Sequence, residues 1–204
     1  MRRGRTLIFL ASLALSLASC ASCASCGASV PAVIRDEQSR TPPGVVTVVF
    51  FTDFQCPYCR RTHAALAAVL ADPPAGVRVR VVLRHVPLSM HPDAPAAARA
   101  AICAEALPAY EDYVRALYAS NDLGEAANEE LAVERGASRE TFHACVADPA
   151  TAARIASDTR RLDELGGDGV PLLYVGRRRM DGSQTRHDLA SAIAAAARES
   201  SEVR

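Results

Sequence analysis

The sequence predicts an α/β domain of order β-α-β, then a helical insertion, then β-β-α. Three observations lead there. A near-continuous apolar run, Val45-Val46-Thr47-Val48-Val49-Phe50-Phe51, leads directly into Cys56-Pro57-Tyr58-Cys59. A second β-branched run, Val77-Arg78-Val79-Arg80-Val81-Val82-Leu83, follows the breaker Asp72-Pro73-Pro74-Ala75-Gly76. A long helical stretch then separates these from a late pair of short strands and a last helix.

Residues 45–53 read as a buried central strand, because β-branched residues fill a run with almost no polar alternation. Residues 59–71 form a helix whose apolar stripe is Leu66, Val69 and Leu70. With residues 77–83 as the next strand, a unit of this length implies a right-handed crossover and parallel pairing. In residues 93–166, Ala97, Ala100, Ala101 and Ala104 make a small-residue face, and Tyr110, Val114, Leu117 and Tyr118 recur at helical spacing. Asp148-Pro149 starts a further helix that ends at Gly166-Gly167. Residues 171–175 are a strand, and Arg177-Arg178-Arg179-Met180 its short partner across a Gly176 turn, with charge that discourages edge pairing. Thr185-x-x-Asp188 caps a last helix running to about residue 198.

The first twenty residues are a targeting segment. Arg2, Arg3 and Arg5 form a charged n-region, and residues 7–18 an apolar stretch too short to span a bilayer comfortably. Leu17-Ala18-Ser19-Cys20 resembles a bacterial lipobox, which would make Cys20 the lipidated first residue of the mature protein. Ordinary signal cleavage nearby is the competing reading. Ala21 in second place, with no acidic residue there, points a lipoprotein to the outer membrane. Either way the mature protein is expected in the periplasm or beyond, where disulfides persist. Residues 21–44 are polar, Pro-containing and non-periodic, and read as a flexible tether with a reach of about 25–30 Å. Cys23 and Cys26 fall in its Ala/Ser filler and are not expected to hold a metal.

The remaining domain assignment is 45–92 with 167–204 for the α/β part and 93–166 for the inserted helices. Charge is balanced, Lys+Arg 23 against Asp+Glu 23, and every cation is arginine. With no tryptophan and no basic stripe interleaved with aromatics, nucleic acid is not expected as a partner.

Cys56 and Cys59 carry the chemistry. Their spacing puts both sulfurs on one helical turn, close enough for a reversible disulfide. Pro57 suits the first helical position, which leaves Cys56 at the N-cap facing unpaired N–H groups and the positive end of the helix dipole. Both favour the thiolate, the attacking species in thiol–disulfide exchange.

That order of elements, with C-x-x-C at the first strand–helix junction, resembles the thioredoxin fold with an inserted helical domain, in its DsbA-like branch. The resemblance rests on residues 51–63 around the motif, on Arg84-His85-Val86-Pro87-Leu88 with His91-Pro92, and on Gly169-Val170-Pro171. It covers about residues 45–198. It implies an extracytoplasmic thiol–disulfide oxidoreductase without cofactor, acting on cysteine-containing proteins and recycled by a redox partner. Cys56 would be the nucleophile and Cys59 the resolving thiol, supported by Pro57 and Tyr58. Pro171 would be cis, packed against the cysteines, with Val170 offering backbone groups to substrate. An extra strand often precedes the first one in the family, and residues 30–34 are the only candidate for it. There is no room for the dimerisation domain of disulfide isomerases, so a monomeric oxidase or reductase is expected rather than an isomerase; Val170 before Pro171 leans toward the oxidase, with a reductase as the alternative.

Asp53 has two readings, a buried carboxylate that moves protons for Cys59 or a residue that ends a strand. Cys103 and Cys145 are either a structural disulfide, stabilising by about 2–4 kcal/mol, or two buried free thiols. His63 shares a helix face with Cys56 and Cys59, so a copper or zinc site is a rival reading, beside a surface histidine. His85 and His91 read as caps of strand and helix ends. A last rival is a tethered binding module whose Cys56–Cys59 bond is a permanent staple.

Overall fold

The computed structural model describes residues 30–202. The leader, Cys20, Cys23, Cys26 and the first part of the expected tether lie outside them. Four strands, β1 (Val45–Thr52), β2 (Arg78–His85), β3 (Leu172–Val175) and β4 (Arg178–Asp181), form one sheet in the order β2-β1-β3-β4. β1 runs parallel to β2, with Val45 opposite Arg78 and Thr52 opposite His85. It runs antiparallel to β3, which turns back on β4. Gly176 makes that turn at φ +54°, and a Cβ there would meet Ala196 at 2.9 Å, so both backbone and space call for glycine.

β1 is central and buried on both faces, which explains its lack of alternation. Val46, Val48 and Phe50 look into the larger core. There they meet Leu66 and Val69 of α2 (Pro57–Ala71), the β1–β2 crossover, and Leu189 and Ile193 of α8 (Arg186–Glu202). The alanine face of α3 (Ala94–Ala104) and Tyr113, Leu117 and Tyr118 of α4 (Tyr110–Ala119) close the same core. α5 (Glu125–Val133) and α6 (Arg139–Ala147) complete the helical insertion, where Cys103 of α3 and Cys145 of α6 are joined by a disulfide, Cα atoms 5.8 Å apart.

Val49, Phe51, Leu172 and Tyr174 face the other way, onto Leu162 and Leu165 at the end of α7 (Pro149–Glu164) and just beyond it. The last helix of the 93–166 stretch therefore also forms the sheet's second layer. The rest of that layer corrects the sequence reading. Residues 30–44, taken as tether, contain α1 (Ala32–Ser39), and the stretch proposed as a candidate extra strand, residues 30–34, leads into this helix instead. Ile34 is fully buried, a contribution of about 1.5–3 kcal/mol. Glu37, 2% exposed, pairs with the buried Arg84 of β2, whose other amino group lies 3.2 Å from Asp158 of α7. The buried positions of α1 are Ile34 and a glutamate, with Val33 half-buried against the same apolar cluster as Ile34, too short an apolar pattern to read as a helix face.

Candidate active site

The site forms where β1 ends and α2 begins. Cys56 is the N-cap of α2 in extended conformation (φ −70°, ψ 120°), and Pro57 takes the first helical position without losing a hydrogen bond. The Cys56 carbonyl accepts the first helical bond, from Arg60 N at 3.0 Å. Both motif thiols are free and buried. Cys56 keeps 3% of its surface open and Cys59 none, so an incoming sulfur reaches the pair along a narrow line and meets Cys56 first. Tyr58, inside the motif, is exposed, with its ring under the Arg61 guanidinium at 4.5 Å.

The two thiols are driven apart in acidity. A hydrogen bond from the Cys59 side chain, with help from the backbone N–H groups of Cys59 and Tyr58, lowers Cys56 from 9.0 to about 6 against the cost of burial. Burial pushes the Cys59 thiol far up, and its bond to Cys56 adds to that. The Thr52 hydroxyl bonds Cys59 and opposes the rise; it also sits 2.5 Å from the hydroxyl of Tyr118, a buried phenol whose acidity is suppressed mainly by burial. Cys56 is thus ready to ionise and Cys59 holds its proton.

Across the cleft, the Val170–Pro171 peptide bond is cis, and the Val170 carbonyl faces Cys56 Sγ at 3.9 Å. Pro171 is buried and Val170 half-buried at the start of β3. The residues named from sequence on both sides of the motif are therefore brought together.

Asp53 is placed differently from its proton-carrying reading. Its buried carboxylate accepts from Gln55 N (2.7 Å) and Cys56 N (3.2 Å) on one oxygen. On the other it accepts from Leu88 N (2.8 Å) and meets His91 Nδ1 (2.8 Å). It binds the turn of the nucleophile to the loop after β2 rather than facing Cys59 with a free oxygen. His63 does not form the metal set suggested by its spacing. Its ring stacks on Tyr118, centroids 4.2 Å apart, burial lowers it to about 4, and among the described residues no three His, Cys, Asp or Glu cluster for a metal. His85 is fully buried against Phe54 and pushed down to about 3, mainly by desolvation, so it is no cap.

Sequence reasoning missed Thr52, Tyr118 and the role of His91. Only His91-Pro92 carried a signal, and it pointed to a helix start.

A dithiol on a helix N-terminus, with one acidic and one inert sulfur and a cis-proline loop opposite, is an arrangement suited to thiol–disulfide exchange. Comparison with known proteins agrees. The family profile described as Thioredoxin matches residues 42–195, and the chain belongs to the thioredoxin family. A thioredoxin-like oxidoreductase from Silicibacter pomeroyi DSS-3 is 33% identical, with TM-score 0.66 over 77% of this chain and 89% of that one. The thiol-disulfide exchange protein alpha-DsbA2 from Wolbachia pipientis, 17% identical with TM-score 0.63 over 84% and 96%, shares the DsbA-like fold. The Na(+)/H(+) antiporter NhaA 1 of Salinispora arenicola (strain CNS-205) is 34% identical over 159 residues, 74% of this chain. The chain spans about a quarter of the length of the curated relatives it matches.

Proposed function

We propose that this protein is an extracytoplasmic oxidase of protein cysteines, working through the Cys56–Cys59 pair. The observation that carries the reading is the unequal acidity of the two thiols. Cys56 at about 6 against an ordinary 9.0 stabilises the reduced form at pH 7 by about 1.4 kcal/mol, or about 30 mV for a two-electron couple. A stabilised reduced form moves the pair toward the oxidising side by that amount.

In the forward direction a substrate thiolate attacks Cys56 Sγ of the disulfide. The S–S bond breaks, and Cys59 leaves with the electron pair and takes up a proton. The second substrate thiol, losing its proton, then attacks the substrate sulfur of the mixed disulfide. Cys56 departs as a thiolate, a good leaving group because it is acidic. The substrate dithiol gives up two electrons and two protons; Cys59 keeps one proton and the other goes to solvent. Val170 and Pro171 line the cleft in which the mixed disulfide forms, with backbone groups there for an extended peptide.

Export rests on the leader, and anchoring through Cys20 on the lipobox; the mass of the mature N-terminal peptide tests both. The chain is read as a monomer recycled by a redox partner. Oxidation of a reduced dithiol peptide by stoichiometric disulfide-form protein tests the direction. Rapid peptide oxidation supports an oxidase; a protein that reduces disulfides readily but oxidises the peptide poorly supports a reductase.

A further inference from the structure

Outside the cysteines, the corner at Asp53 is the place where a buried charge meets the reacting groups. The Asp53 side chain has no exposed surface, and its four contacts come from two segments, the turn before α2 and the loop between β2 and α3. One of them is the amide of the nucleophile itself. Another is His91, side chain 18% exposed, which can exchange protons with solvent. Among the described residues no arginine bonds Asp53, so His91 is its one cationic partner. The other ionisable groups at this corner are the two thiols, the Tyr118 phenol and Asp93, whose amide and carboxylate bond the Gln55 side chain.

We propose that Asp53 and His91 are positioning residues for Cys56: Asp53 ties the nucleophile's amide to the 86–93 loop, and the charge on His91 decides how strongly that carboxylate opposes the thiolate. Histidine is the side chain that ordinarily changes charge between pH 5 and 8. Protonated, His91 offsets the carboxylate and the thiolate is favoured. Neutral, it leaves the Asp53 charge uncompensated beside the sulfur, and Asp53 does oppose ionisation of Cys56. Coupling of this kind is reciprocal, so the thiolate must in turn favour the protonated His91. The proposal rests on the redox reading of the pair.

The first test uses the unaltered protein. His91 ring protons are followed by NMR against pH in the reduced and the disulfide forms. The two forms are expected to differ, since only the reduced one carries the thiolate. Coincident midpoints overturn the proposal. The second test equilibrates variants with glutathione. His91→Gln keeps a donor for Asp53 but no titratable charge. It is expected to shift the equilibrium about twofold toward the protein disulfide at about pH 6.5, where the Cys56 thiolate and a charged His91 coexist, with less change at about pH 8. His91→Arg, charged at both, is expected to restore the acid value. A shift that is equal at both pH values, or absent, overturns the proposal and leaves the redox reading standing. A wild-type pair that does not exchange with glutathione overturns both.

Discussion

Replacing Cys59 separates the forces that make Cys56 acidic. The largest of them is the hydrogen bond from the Cys59 thiol, while the N–H groups of Cys59 and Tyr58 belong to the backbone and survive substitution. Cys59→Ala removes the first and keeps the second. With burial still opposing ionisation, the Cys56 midpoint is expected to climb from about 6 by at least about one unit, each unit being about 1.4 kcal/mol of lost thiolate stabilisation. Cys59→Ser keeps a hydroxyl donor at the same place and is expected to stay within about half a unit of the wild type. The ultraviolet absorbance of the thiolate, titrated in both variants and checked against the pH dependence of alkylation, reads the difference. If Ala and Ser variants titrate together at about 6, the helix terminus alone holds the thiolate and the side-chain bond contributes nothing.

The same acidity makes stability depend on pH. Because the folded value lies below the ordinary 9.0, the stabilisation of the reduced form is full above about pH 9 and is lost as pH falls through about 6; denaturant melts of reduced and oxidised protein should diverge accordingly. Glu37→Ala leaves the buried Arg84 without its α1 partner and is expected to cost about 3–5 kcal/mol in urea unfolding. Ile34→Ala, at a fully buried position on the same helix, is expected to cost about 2–5 kcal/mol; a loss near zero would mean that α1 is not docked. Replacing Cys103 and Cys145 by serine opens a loop with a sequence separation of 42, worth about 4 kcal/mol by chain entropy, and should leave peptide oxidation intact.

The strands, the motif helix and the cysteine pair were legible because each is written locally. β1 declares itself by β-branched residues, α2 by Pro57 behind an N-cap cysteine, and the β3–β4 turn by Gly176. What was not legible depends on contacts distant in sequence. α1 is held by Ile34 and by a glutamate whose partner, Arg84, lies on β2, so no window of sequence reveals it. Asp53 was noticed for its distance from Cys56, but its work is done with Leu88 and His91, which only the β2–α3 loop brings near. Tyr118 reads as one of several apolar positions on α4, and nothing local says that its hydroxyl finds Thr52. His63 shows the opposite case. Helical spacing put it on a face with the cysteines, and the stacking partner that claims its ring comes from another helix.

The reversible chemistry of one sulfur pair underlies all of this, and its equilibrium with glutathione addresses it most directly. Trapped by acid and alkylation across a range of redox buffers, Cys56 and Cys59 should interconvert with a midpoint well above about −300 mV, and Cys59→Ala should accumulate a mixed disulfide on Cys56. A midpoint below that value, with no adduct on Cys56, would make the pair a structural cross-link and contradict an exchange enzyme.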